Sequence, residues 1–136
     1  MIVYARPVRF EEVDAAGILF FGRTMNFCHE AMENFFGALA GGYVDLIMNR
    51  KIGFPAVHVE ADWVAPLRYG DEARIAVSVS KIGTTSCTFR YAITRAQDGA
   101  NVATVNHVTV STDLRTMTKV PLPPDVRTLL EAHASS

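Results

Sequence analysis

One stretch of this chain has helical periodicity, and nearly everything after it has the periodicity of strands. Within and just beyond Phe10 to Phe36, the residues Phe27, Ala31, Phe35 and Ala38 fall three and four positions apart, which sets one broad face of a helix against a core. Cys28, Met32 and Phe36 stand beside that stripe, so more than one wall is expected to cover the helix. Gly22 and Thr24 suit its start, and Gly37, Gly41 and Gly42 loosen or end it, because a glycine inside a helix costs about 1 kcal/mol relative to alanine. The same stretch opens with an acidic, turn-prone loop from Glu11 to Gly17. The carboxylate of Asp14 is thereby joined to the start of an apolar helix, and that junction is the candidate site.

Strand signals surround the helix. Residues 2 to 10 are rich in β-branched and aromatic types, and Pro7, lacking a backbone donor, belongs on an edge strand. Tyr43 to Arg50 suggests a helical turn or two, and Ala56 to Val64 reads as a strand that ends before Pro66. Arg68 to Glu72 is a turn around Gly70-Asp71. Ile75, Val77 and Val79, and then Cys87, Phe89, Tyr91 and Ile93, alternate with polar or small residues in the period-two pattern of a sheet with one buried face. Ile82 to Thr85 and Gln97-Asp98-Gly99 are hairpin turns, and Val102 to Thr112 supplies the last strand. Leu122 to Asp125 closes the sheet region ahead of a short helix, Asp125 to His133, expected on the surface. The fold class implied is α+β, with a curved antiparallel sheet around one long helix, in a single domain of residues 1–136.

Composition narrows the function classes. The formal net charge is -1 and charged residues make up 20% of the chain, which disfavours binding to nucleic acid or other polyanions. No apolar run reaches the roughly eighteen residues of a membrane span, and the start lacks a signal peptide's basic region and apolar core, so the expected compartment is the cytoplasm. The two cysteines, Cys28 and Cys87, show no metal-ligand spacing and read as small buried thiols. His58 and His107 read as ordinary strand histidines, with no metal site expected.

Three segments carry a likeness. Val8 to Phe21 has a strand, an acidic pair, two small residues, a glycine, two apolar residues and an aromatic before the helix. Ala65 to Glu72 contains Pro66-Leu67-Arg68, then Gly70-Asp71, and Val120 to Pro124 is proline-rich. In order and spacing the chain resembles the hotdog-fold acyl-CoA thioesterases, in particular the branch of 4-hydroxybenzoyl-CoA thioesterase. The resemblance implies thioester hydrolysis without a cofactor. The catalytic carboxylate then falls on Asp14, the loop glycine on Gly17, and the backbone N–H that polarises the thioester carbonyl on Phe21. A helix start offers unpaired N–H groups and a positive dipole end, as an oxyanion requires. Asp14 would attack the carbonyl to form a mixed anhydride or serve as general base for water.

The sequence departs from the branch at Glu12, the first acidic position of its D-x-D pattern, and at His29, where relatives often carry an acid. Candidate substrate-binding residues are Phe20, His29, Trp63 and Lys81, with Arg90 and Arg95 weaker cations for the phosphates of coenzyme A. Each has a plainer reading. Asp14 and Asp71 suit turns, Glu11 and Glu12 a solvated acidic rim, His29 a structural role, and Phe20, Phe21 and Trp63 a core. The expected substrate is an aromatic or short-to-medium-chain acyl-CoA. The alternatives are an acyl carrier protein thioesterase and a non-catalytic acyl-thioester binding protein. A homodimer or homotetramer is expected, because one sheet over one helix leaves edges uncovered.

Overall fold

The period-two stretches pair in chain order. In the computed structural model, which describes residues 1–135, β1 (Ile2–Pro7) lies at one edge of a five-stranded antiparallel sheet and β3 (Ala56–Trp63) at the other. Between them run β4 (Glu72–Ile82), β5 (Ser86–Arg95) and β6 (Asn101–Val110), giving the order β1-β4-β5-β6-β3. Gly99, at φ +70°, closes the β5–β6 hairpin, where the Arg95 N–H donates to Ala100 O at 2.9 Å. Pro7 is the last residue of its edge strand, where a missing donor costs nothing to the ladder.

One sheet face is dry. Ala73, Ile75, Val77 and Val79 of β4 and Cys87, Phe89, Tyr91 and Ile93 of β5 are buried. They join Phe27, Cys28, Ala31, Met32, Phe35 and Phe36 of α1 (Arg23–Phe36) in one core. This helix of 14 residues starts at Gly22 and stops at Gly37, so the apolar stripe ends one turn earlier than expected and Ala38 is exposed. Helical structure is shared among three α-helices rather than concentrated in one. α2 (Gly42–Val44) leads into a π-helical turn, Asp45–Asn49, and α3 is Pro124–Ala132. α3 is not merely superficial: Val126 and Leu130 are fully buried, and the chain after it bonds to Val79 of β4. Among the described residues no helix is long and apolar enough to cross a membrane.

Two further departures follow from non-local pairing. The expected strand from Val102 to Thr112 breaks at Ser111, whose N–H turns to Thr85 O at 2.6 Å. Beyond it a small second sheet forms from β2 (Ile52–Gly53), β7 (Thr112–Asp113) and β8 (Thr118–Lys119). The second departure is β3 itself. It pairs only with β6, and all its residues except the half-buried Ala61 are exposed.

Candidate active site

The acidic loop is a hairpin held at four points. Val13 and Leu19 bridge across it, and the Asp14 N–H donates to Ile18 O at 2.9 Å. The Gly17 N–H closes the turn on Asp14 O at 2.9 Å, with Gly17 at φ +77°, a left-handed backbone that explains the glycine. The Leu19 N–H donates to Leu67 O at 2.7 Å, which ties the hairpin to the Pro66-Leu67-Arg68 segment. Asp14 Oδ1 accepts the Ala16 N–H at 2.8 Å, an Asx turn that orients the carboxylate. The side chain is exposed and its Oδ2 has no partner among the described residues.

From the hairpin the chain enters the helix within a few residues. The Phe20 N–H returns to Glu12 O at 2.9 Å, and the Arg23 and Thr24 N–H groups reach Phe20 O and Phe21 O at 2.8 and 3.1 Å. The Phe21 and Gly22 N–H groups lie between these bonds and have no partner among the described residues. They are unpaired donors at the positive end of a 14-residue helix.

Glu12 does not belong to a solvated rim. It is 4% exposed, and both its carboxylate oxygens accept from Arg6 Nη2, at 2.6 and 2.8 Å, while Oε1 also takes the Arg9 N–H at 2.8 Å. Arg6 Nη1 donates to Glu30 Oε2 of α1 at 2.7 Å, Tyr4 donates to the other Glu30 oxygen at 2.9 Å, and the guanidinium lies 3.9 Å over the Phe27 ring. One buried cation thus clasps the loop, the edge strand and the helix. Nothing periodic marks it in the sequence, because its members are 6 and 24 residues apart.

The expected core aromatics are on the surface. Phe20, Phe21 and Trp63 are 47%, 66% and 46% exposed, with ring centroids 4.9 Å apart for Phe20–Phe21 and 6.3 Å for Phe21–Trp63. Local pattern does not distinguish such exposed apolar positions from core positions. Trp63 is fixed by its Nε1–H, which donates to the buried Thr24 Oγ1 at 3.1 Å. Two cavities succeed one another along α1 and β3. The first, about 420 Å³, is lined by Ile18, Leu19, Phe21, Thr24, Trp63 and Leu67 among others. The second, about 320 Å³, lies under the next turns and touches Met25, Cys28, His29, Val59, Tyr91 and His107.

His29 is 55% exposed, lines the second cavity and stands 3.3 Å from Glu33 one turn on. His58 pairs at 2.9 Å with Glu60 on the exposed strand. His107 Nδ1 lies 3.0 Å from the Tyr91 hydroxyl. Burial, and then the nearby His29, lower its pKa, while burial raises that of Tyr91. The sequence hint for this pair was weak: Tyr91 opposes Val105, so His107 is its diagonal neighbour, visible only once the register is known. Lys81 is not brought to the loop within one chain. Glu72 pairs with Pro7 beside the hairpin, and Lys81 is nine residues further along β4, about 30 Å away at about 3.3 Å per residue. Arg95 is committed to Asp98 at 2.9 Å and to Pro66 O. Cys28 and Cys87 are buried thiols pushed up to about 12 and about 11 by burial, so neither supplies a thiolate nucleophile.

One antiparallel sheet lies against α1, and the acidic hairpin leads directly into the unpaired N-terminal donors of that helix. Residues 8–130 match the thioesterase-like superfamily, and the chain belongs to that family. It is 32% identical to the 1,4-dihydroxy-2-naphthoyl-CoA hydrolase of Nostoc punctiforme over 96% of this chain and 86% of that one. Its fold superposes with a TM-score of 0.84 on a 1,4-dihydroxy-2-naphthoyl-CoA thioesterase from Synechocystis, at 25% identity and with 94% and 93% of the two chains covered. It superposes equally well, at 0.84, on a gentisyl-coenzyme A thioesterase, with 27% identity and 95% and 99% covered. These relatives make the chain a thioester hydrolase with the hotdog thioesterase fold.

Proposed function

We propose that this hydrolase cleaves aromatic acyl-CoA thioesters, with Asp14 as the nucleophile or general base and the Phe21 N–H as the oxyanion donor. The observation that carries the reading is the continuous stretch from Asp14 to Gly22, in which a half-free carboxylate and two unpaired N–H groups are held by one hairpin and one helix start. Gly17 supplies the turn, and α1 serves as the central helix around which the sheet of a single hotdog unit, residues 1–136, curves. Developing negative charge on the thioester oxygen meets the Phe21 N–H and the helix dipole, a stabilisation present before the reaction begins. The new C–O bond comes from the Asp14 carboxylate, giving a mixed anhydride that water then hydrolyses, or from a water whose proton Asp14 takes. The C–S bond breaks and the sulfur leaves as a thiolate, which needs little help from an acid because thiols are more acidic than alcohols. The relatives named for dihydroxynaphthoyl-CoA and gentisyl-CoA support an aromatic acyl group, and two apolar-lined cavities beside the helix start offer room for one.

Trp63 lines the first cavity and His29 the second as substrate contacts, and Phe20 stands against Phe21 at the edge of the first. Arg9, Arg23 and Arg68 flank the hairpin and form no ion pair among the described residues, so they are the protomer's own cations for the phosphates of coenzyme A. Lys81 would reach such a ligand only from a neighbouring subunit. A second copy also accounts for β3: its outer edge is unpaired and Val57, Val59, Trp63 and Val64 are exposed along it, so we read it as the seam of a homodimer. Light scattering should give at least a dimer at micromolar concentration, and a monodisperse monomer would contradict the seam.

The activity test is thiol release from benzoyl-, 4-hydroxybenzoyl-, phenylacetyl-, butyryl-, hexanoyl- and decanoyl-CoA, with Asp14→Asn alongside. The asparagine can still accept the Ala16 N–H, so the turn survives. Its kcat should fall at least about a hundredfold, the lower end for a lost general base. More than a tenth of wild-type turnover would rule Asp14 out, and no release from any substrate would overturn the acyl-CoA reading.

A further inference from the structure

We propose that the Tyr91–His107 pair is the specificity element of the second cavity and recognises a ring hydroxyl on the acyl group. This rests on the reading that an aromatic acyl thioester is held at Phe21 and extends along α1. From Phe21 to Met25, at the near end of this cavity, the helix rises about 6 Å at about 1.5 Å per residue, so the far edge of a ring attached to a carbonyl at Phe21 and directed along α1 reaches the cavity's lining.

The cavity has Met25, Ala56, Val59 and Val105 on its apolar walls, and its polar groups come from Asn26 and His29 on α1 and from Tyr91 and His107 on the sheet. Tyr91 is fully buried, and its hydroxyl is satisfied by His107 Nδ1 at 3.0 Å. That bond leaves His107 Nε2 with no partner among the described residues. An imidazole held neutral carries one donor and one acceptor. If the tyrosine donates to Nδ1, then Nε2–H donates to a ligand oxygen. If Nδ1–H donates to the tyrosine, Nε2 accepts a ligand hydroxyl, and the tyrosine proton becomes free as well. A ring hydroxyl can donate and accept, so it satisfies either arrangement. Burial and the positive form of His29 both oppose protonation of His107, which keeps the neutral imidazole that this recognition uses. A bare ring would remove water from Nε2 without replacing its hydrogen bond, and unpaired polar groups in a closed site are the strongest means of rejecting a ligand that lacks the matching hydroxyl.

The test measures kcat/KM for benzoyl-, 3-hydroxybenzoyl-, 4-hydroxybenzoyl- and gentisyl-CoA, and reads the ratio of each hydroxylated substrate to benzoyl-CoA rather than any absolute rate. Wild type should favour at least one hydroxylated ring by about fivefold or more, the factor for one hydrogen bond of ordinary net strength. Tyr91→Phe, which deletes one oxygen, and His107→Leu should each bring that ratio to within about threefold of unity. A ratio unchanged in both variants, or no preference in wild type, would overturn the proposal. A second measurement needs no turnover: the ring nitrogens of ¹⁵N-labelled His107 are followed by NMR as free 3-hydroxybenzoate, 4-hydroxybenzoate, gentisate or benzoate is added. A shift with a hydroxylated acid and none with benzoate supports the pair even if every thioester proves inert, which would sink only the proposed activity. Absence of a shift with all three hydroxylated acids counts against the pair.

Discussion

The two halves of α1 share one backbone and do opposite work. In the C-terminal half, Phe36 stacks on Phe54 and Tyr43 at 5.1 and 5.7 Å, and both Phe35 and Phe36 meet Phe89 edge-on at 5.6 and 5.8 Å. Phe35, Phe36 and Phe89 are fully buried there, and the cavities on that half, about 430 and 390 Å³, are bordered by Glu33 and Asn34 and by Met32 and Tyr43 rather than by these rings. The N-terminal half keeps Thr24, Phe27 and Cys28 inside, yet Phe21, Met25 and His29 border cavities of about 420 and 320 Å³. Packing density stabilises in proportion to contacts made, so the dry half stores stability and the half beside the hairpin is left free to admit a ligand. On the proposed reading, the first turns of α1 carry the site and the buried aromatic cluster behind them anchors the helix.

Three experiments break or sharpen this contrast. Phe36→Ala should have the largest effect, a loss of about 3 to 5 kcal/mol in urea unfolding, because the ring is fully buried among four others. A loss under about 1 kcal/mol would mean that the C-terminal half is not the anchor. Arg6→Ala should follow at about 3 kcal/mol, the low end for breaking a buried pair, since Glu12 loses its cation while Glu30 keeps Tyr4 and some solvent. Its kcat should also fall, whereas the folded fraction of Phe36→Ala should turn over at nearly the wild-type rate.

The smallest effect concerns pH. Burial lowers the pKa of His107, beside the cavity, and of His133, which stands edge-on to Phe35 at 5.4 Å with its Nδ1 buried and without a partner among the described residues. The unfolded chain therefore takes up protons first as pH falls below the ordinary value of 6.5. Stability from both groups is full above that value and declines from there down to their folded-state pKa values. His107→Gln and His133→Gln should each flatten part of the slope of the urea midpoint against pH in that window. Asp125, held low by Arg50, adds a loss only as pH falls below 3.8. A midpoint that does not change between pH 7 and 5 would contradict the assignment.

Legibility in the sequence followed how local each cause was. The alternation in Ile75 to Val79 and in Cys87 to Ile93 reports burial directly, so β4 and β5 emerged with their inward faces correct. The Asp98-Gly99 turn and the start of α1 after Gly22 depend on one or two residues, and these too were readable. Glu12 misled because its partner Arg6 sits on another element, and an acidic run looks solvated until a buried cation is found for it. Phe20, Phe21 and Trp63 misled for the opposite reason, since hydrophobicity alone does not say which apolar residues the fold covers. The second sheet rests on pairs of residues such as Ile52 and Asp113, too short and too distant for any period to show.

The Trp63–Thr24 hydrogen bond has a consequence for spectroscopy. The chain contains a single tryptophan, and that indole stands half-exposed on the wall of the first cavity, edge-on to Phe21. All tryptophan fluorescence from the native protein therefore originates within contact of the first turn of α1. A ligand that displaces water there changes the polarity around the ring and shifts its emission, and one with a conjugated aromatic group quenches it by energy transfer. The protein carries its own optical reporter of site occupancy, with no second indole to dilute the signal.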